Sequence, residues 1–183
     1  HLYEELLDGH YSDSNHFVYE LLQNAEDAGA GKVVIEYRWD RLVFFHDGKP
    51  FDEADVRGIC SMLMGTKAKR DAQTIGHFGM GFKSVYKYTS CPEIYSDEEA
   101  FAIHRSLLPK EIEGGWDAKE VRKNLSYRAS NGETYHPFAA SEHLTRIEIP
   151  FQKLNEKGKM VKSNGYDVLE KLNSLSGDIL LFL

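Results

Sequence analysis

The feature that most constrains this chain is an amphipathic stretch that stops at a glycine and is followed at once by two β-rich runs. Over residues 13–28 the apolar positions Phe17, Val18, Leu21, Leu22, Ala25 and Ala28 recur every three or four residues, on one side of a helix. Ser12, Asp13 or Ser14 supplies the cap and Gly29 the stop. Residues 33–39 and 42–46 are rich in β-branched and aromatic side chains, with Asp40-Arg41 between them, and predict a hairpin. A helix with one apolar face must bury it, and the neighbouring hairpin offers the sheet on which to do so.

The remaining elements follow the same irregular alternation. Asp47-Gly48-Lys49-Pro50 reads as a turn, and Asp52 as the cap of a helix carrying Ala54, Val56, Ile59 and Met62. Periodicity is lost over residues 64–81, which hold Gly65, the basic run Lys67-Ala68-Lys69-Arg70, and Gly76, Gly79 and Gly81. A short helix is expected from Gly81 through Phe82, Val85 and Tyr86, strands near 92–96, 101–107 and 144–149, and a last helix over 168–175. The polar segment 109–142, with Gly114-Gly115 and Asn131-Gly132, reads as an insertion that leaves the sheet. Hairpin signals in place of a regular βαβ period favour a two-layer α/β sandwich, with helices packed on one face of a mixed, mostly antiparallel sheet. A length of 183 residues fits a single domain over 1–183.

Composition narrows the function. With 42% hydrophobic residues the chain has enough apolar surface for a core, which excludes wholesale disorder. Its 22 Lys and Arg against 29 Asp and Glu leave a formal net charge of −7, which argues against binding nucleic acid or an anionic membrane through bulk charge. A local basic patch, and with it nucleic acid as a partner, stays open. No apolar run approaches the roughly 18–20 residues that span a bilayer. Cys60 and Cys91, the two cysteines, form no CxxC pair, so a reducing, cytoplasmic setting is expected. The start at His1 and the closing string Ile179-Leu180-Leu181-Phe182-Leu183 suggest a piece of a longer protein.

Three stretches carry chemistry. On the first helix Glu20, Asn24 and Asp27 fall within a narrow stripe, and Asn24 borders the apolar arc. Asn forms helix poorly and must satisfy its amide when buried, so its place there asks for a reason. An amide oxygen beside carboxylates suits Mg²⁺, which takes its other ligands from water and phosphates, and Glu20 one turn earlier could orient a water. Closely spaced glycines in Gly76-His77-Phe78-Gly79-Met80-Gly81-Phe82-Lys83-Ser84 let backbone amides approach a phosphate just before a helix start. Neither the dinucleotide fingerprint nor the Walker pattern is present. Finally, Phe44-Phe45-His46-Asp47-Gly48-Lys49-Pro50-Phe51 delivers an acid into a turn with an aromatic returning at once, the materials for reading a base. The eight histidines show no metal-ligand spacing.

Taken in order, these stretches resemble the Bergerat-fold (GHKL) ATPases, the superfamily of gyrase, the ninety-kilodalton heat-shock chaperones, histidine kinases and MutL. Glu20-Leu21-Leu22-Gln23-Asn24-Ala25-Glu26-Asp27-Ala28 resembles the box in which a Glu activates water and an Asn holds Mg²⁺. The resemblance implies those roles for Glu20 (catalytic) and Asn24 (metal), with Asp27 and Ala28 on the nucleotide. His46-Asp47-Gly48-Lys49-Pro50-Phe51 resembles the adenine-recognising box, which implies contacts from His46, Asp47, Gly48 and Phe51. Gly76 to Ser84 resembles the glycine box that closes the ATP lid, which implies phosphate contacts from Gly76, His77, Phe78, Gly79, Met80, Gly81, Phe82 and Lys83. The lid would occupy 60–78, with Thr66 and Lys67 reaching the nucleotide. Thr145-Arg146-Ile147-Glu148-Ile149 resembles the late strand whose threonine supports the adenine site. Gln-Asn-Ala-Glu-Asp-Ala together with Gly-Phe-Lys-Ser-Val-Tyr most resembles the sacsin-type domains. MORC-type ATPases also carry Gly-Phe-Lys-Ser.

Two departures stand out. The usual adenine box is Asp-x-Gly-x-Gly. An ungapped alignment through Gly48 and Phe51 puts His46 at the acid's place and Pro50 at the second glycine, while a one-residue shift of the turn would restore Asp47. A neutral His could accept from the adenine amine through one ring nitrogen. The domain that supplies a γ-phosphate lysine in many relatives is absent from these residues, so turnover by this chain is expected to be slow. The resemblance implies an ATP/ADP- and Mg²⁺-binding ATPase that drives conformational change, or ATP-dependent homodimerisation through regions outside this chain. A switch that senses nucleotide without hydrolysing it is the alternative.

Overall fold

The computed structural model describes residues 16–63, 82–104, 109–174 and 181–182. In chain order these form α1 (His16–Asp27), β1 (Val33–Arg38), β2 (Arg41–His46), α2 (Glu53–Leu63) and a 3₁₀ helix (Lys83–Lys87). Next come β3 (Glu93–Ser96), β4 (Glu99–Ile103), β5 (Pro109–Glu111), α3 (Ala118–Asn124), β6 (Tyr127–Arg128) and β7 (Thr134–Tyr135). The last elements are β8 (Thr145–Pro150), β9 (Gln152–Leu154), β10 (Met160–Lys162), α4 (Tyr166–Ser174) and β11 (Leu181–Phe182).

A seven-stranded sheet runs in the order β11-β1-β2-β8-β3-β4-β5. β11 lies parallel to β1, and the other described pairings in the sheet are antiparallel. The first hairpin forms where expected, but it turns at Trp39-Asp40, one residue earlier than the sequence suggests. Arg41 belongs to β2 because it pairs with Pro150 and its guanidinium lies 2.5 Å from the Glu148 carboxylate on the adjacent strand. The helix after Asp52 opens on a reciprocal cap: the Asp55 N–H donates to Asp52 and the Asp52 N–H to Asp55, both at 3.0 Å.

Both faces of the sheet are covered. On the inner face Leu42, Phe44, Ile94, Ile147 and Ile149 meet Phe17, Leu21 and Ala25 of α1, Ile59 of α2, Phe82 before the 3₁₀ helix and Val85 within it, and Val168 and Leu172 of α4. On the outer face Val34, Val43 and Phe45 meet Ala118, Phe138 and Leu144. Helices therefore do not all lie on one side: α3 packs on the outer face. Segment 109–142 adds β5 to the edge of the sheet, then leaves it for α3 and the separate β6–β7 hairpin, and packs Ala118 and Phe138 against its back. The physical reason is the run Leu42-Val43-Phe44-Phe45, apolar at every position and so apolar on both faces. Asp97, in the left-handed region at φ 44°, ties this cover to the turn between β3 and β4. Its carboxylate accepts the Leu144 N–H at 3.1 Å and its carbonyl the Trp116 indole N–H at 2.7 Å.

Candidate functional site

The site is organised where α1 ends against the turn that follows β2. The helix closes on Gly29 at φ 71°, with the Ala30 N–H donating to the Ala25 carbonyl at 2.9 Å and the Gly29 N–H to Glu26 at 2.8 Å. The Ala28 carbonyl accepts the Lys49 N–H at 2.8 Å. Gly48 is the residue that permits this approach. A Cβ there would lie 2.8 Å from the Ala28 carbonyl oxygen and 3.0 Å from the Ala30 nitrogen. The first helix and the turn after β2 are thus locked together through backbone.

Beside this junction a polar row ends three neighbouring strands. His46 of β2 lies opposite Thr145 of β8, which lies opposite Ser96 of β3. Strand alternation places all three on the inner face, following Phe44, preceding Ile147 and following Ile94 respectively. Ser96 Oγ and Thr145 Oγ1 are hydrogen-bonded at 2.8 Å, and the Phe51 N–H donates to Ser96 Oγ at 2.9 Å. Thr145 is fully buried and Ser96 nearly so, which makes them a floor rather than a surface. The His46 ring, 3% exposed, accepts the Gly48 N–H on Nδ1 at 3.2 Å. Burial among apolar side chains holds its pKa down at about 4, only partly opposed by the charge of Asp47, so the ring is neutral at neutral pH.

His46 and Asp47 are separated by this geometry. Asp47 faces the other side, where its carboxylate accepts three hydrogen bonds. Oδ1 accepts the Gly31 and Lys32 N–H groups at 2.9 and 2.7 Å, and Oδ2 the Ser141 hydroxyl at 2.8 Å. Asp47 is a clasp between the loop after α1 and the outer cover. Of the two neighbours, His46 is the one on the inner face.

Asn24 is 4% exposed, on the buried side of α1, and its Nδ2 has no hydrogen-bond partner among the described residues. An unpaired buried amide costs roughly 1–3 kcal/mol, so the position is poor for folding alone. Glu20 is half-buried one turn earlier, while Asp27 is exposed and Ala28 half-buried at the helix end. Phe51 packs against the inner core. Phe82 is buried, and Lys83 begins the 3₁₀ helix. Thr66, Lys67, Gly76, His77, Phe78, Gly79, Met80 and Gly81 lie outside the described residues, as does the lid beyond the last turn of α2.

Sequence reasoning missed Ser96 and Ser141. Each is a lone hydroxyl in an otherwise unremarked strand end or loop, and only the register across β2, β8 and β3 reveals the first. Among the described residues no three His, Cys, Asp or Glu side chains gather as a metal-binding group. No helix among them is long and apolar enough to cross a membrane.

The profile of the family described as Sacsin domain matches residues 40–183. Sacsin of Homo sapiens is 33% identical over 110 residues, which are 51% of this chain and 2% of that protein. Protein NO VEIN of Arabidopsis thaliana is 33% identical over 184 residues, covering 94% of this chain and 6% of its own length. The chain therefore spans only a small part of these relatives. Among solved structures, the N-terminal domain of a DNA repair protein aligns with 87% of this chain and 57% of its own, at TM-score 0.40 and 10% identity, too slight a likeness to bear on the fold. Since the family profile runs through most of its length, this chain belongs to the Sacsin domain family.

Proposed function

We propose that this chain is an ATP-binding, Mg²⁺-dependent ATP-hydrolysing domain of the Bergerat type, working as one part of a longer protein. The observation that carries this is the joining of α1 to the turn after β2, through Lys49 N–H and the Ala28 carbonyl, with Asn24 and His46 both on the inner face. One stretch resembles a metal- and water-handling box and the other a base-reading box, and a nucleotide needs both within its own length.

The buried Nδ2 of Asn24, a donor with no partner among the described residues, fits a phosphate or water oxygen of a ligand better than it fits a core. Asn24 would hold Mg²⁺ through its side-chain oxygen, the remaining positions going to phosphates and water, so a protein-only cage of carboxylates is not required. The cation's contribution would be neutralisation of phosphate charge. Glu20, on the same helix one turn earlier, would orient and deprotonate the attacking water. Sacsin-family membership is compatible with these roles.

Phosphate release measured on the Glu20→Ala variant tests the hydrolytic part. Turnover is expected to fall by about 100-fold or more, as removal of a general base does, with nucleotide affinity retained. Unchanged phosphate release would overturn hydrolysis through Glu20 and leave a nucleotide-sensing switch, in which ATP occupancy alone sets conformation or dimerisation.

A further inference from the structure

The hydrogen bond between Gly48 and His46 fixes which nitrogen of the ring carries a proton. A backbone N–H can only donate, so Nδ1, which receives it at 3.2 Å, must present its lone pair. A neutral imidazole has one such nitrogen, and the proton therefore sits on Nε2. Among the described residues Nε2 has no hydrogen-bond partner. The side chain at the inner-face end of β2 is thus a donor, where a carboxylate would have been an acceptor.

Nothing else in the row restores an acceptor of the same kind. Both oxygens of Asp47 are taken on the other side of the turn. Thr145 is fully buried and bonded to Ser96, which in turn takes the Phe51 N–H. We propose that His46 reads the nucleobase as a hydrogen-bond donor through Nε2–H. The site then selects a base that offers an acceptor, a ring nitrogen or a carbonyl oxygen, and is indifferent to the exocyclic amine of adenine.

This rests on the nucleotide-binding reading above and adds its base specificity. The consequence is chemical: a site built around an acceptor rejects a base that lacks the amine, because its own buried oxygen is left unpaired. A donor imposes no such penalty. A purine with a 6-carbonyl is then accepted as readily as adenine.

Displacement of a fluorescent ATP analogue from the chain by ATP, by purine riboside triphosphate, which lacks the amine, and by inosine triphosphate, which carries a carbonyl, tests the proposal. The three are expected to compete within about threefold of one another, and His46→Asp to make the amine-free analogue weaker than ATP by about tenfold or more. A loss of that size in the parent chain would overturn donor readout while leaving ATP binding intact. Failure of all three ligands to displace the probe would overturn the nucleotide site itself, and this specificity with it. Nitrogen-15 NMR of the His46 ring supplies a second readout that needs no variant. A protonated Nε2 is expected, and a protonated Nδ1 would contradict the proposal.

Discussion

Gly48 stands so close to Ala28 that a side chain at position 48 would meet the Ala28 carbonyl oxygen at 2.8 Å and its Cβ at 2.9 Å. The obstacle is backbone on one side and a helix terminus on the other, so neither can swing aside. Gly48→Ala should therefore break the Lys49 to Ala28 hydrogen bond and lower unfolding free energy by about 1–3 kcal/mol, the usual cost of overpacking. Urea denaturation measures this, and an unchanged midpoint would mean that the turn is not clamped to α1.

Asp47 makes a separable prediction, because its oxygens hold the Gly31 and Lys32 amides and the Ser141 hydroxyl. Asp47→Ala leaves the Gly31 and Lys32 amides and the Ser141 hydroxyl without their partner and should cost about 1–3 kcal/mol. Asp47→Asn keeps one acceptor oxygen and should cost clearly less. Nucleotide selectivity should move in neither variant. A change in base preference in Asp47→Asn would place Asp47 back at the base.

The division between legible and illegible parts follows the range of the interactions involved. Helix α1, the β1–β2 hairpin and the Asp52 cap are settled by neighbours a few residues apart, and their spacing shows in the chain. The cover on the outer face depends on Phe138 and Ala118 meeting Val43 and Phe45, which no local pattern announces. The absence of polar residues at alternate positions in Leu42-Val43-Phe44-Phe45 was the available signal for burial on both faces. The β9–β10 hairpin consists of two three-residue strands with largely exposed side chains, too short for a period. Which of His46 and Asp47 stands on the inner face turns on alternation across a strand end, which the residues alone leave open.

The His46 ring links stability to pH. Its folded pKa of about 4 lies below the ordinary 6.5, so the unfolded chain takes up the proton first as pH falls. Stability from this group is complete above the ordinary value and is lost between it and the folded value, by at most about 3 kcal/mol. His46→Gln should flatten that part of the profile when urea denaturation is repeated across the window. Parallel profiles for the parent and the variant would contradict a buried neutral ring.

Asn24 should behave as a residue kept for binding. Asn24→Ala removes a buried Nδ2 with no partner among the described residues, whose desolvation cost offsets the packing lost, so stability should stay within about 1 kcal/mol of the parent. Affinity for Mg²⁺-ATP should nevertheless collapse. Strong destabilisation with affinity retained would make Asn24 a structural residue.

The most direct measurement is isothermal titration calorimetry of the folded chain with ATP in the presence of Mg²⁺. A saturable one-site heat that disappears when Mg²⁺ is chelated is the predicted result. A flat titration, from a sample whose fold is verified by circular dichroism, would contradict the assignment of α1 and the β2 turn to one nucleotide.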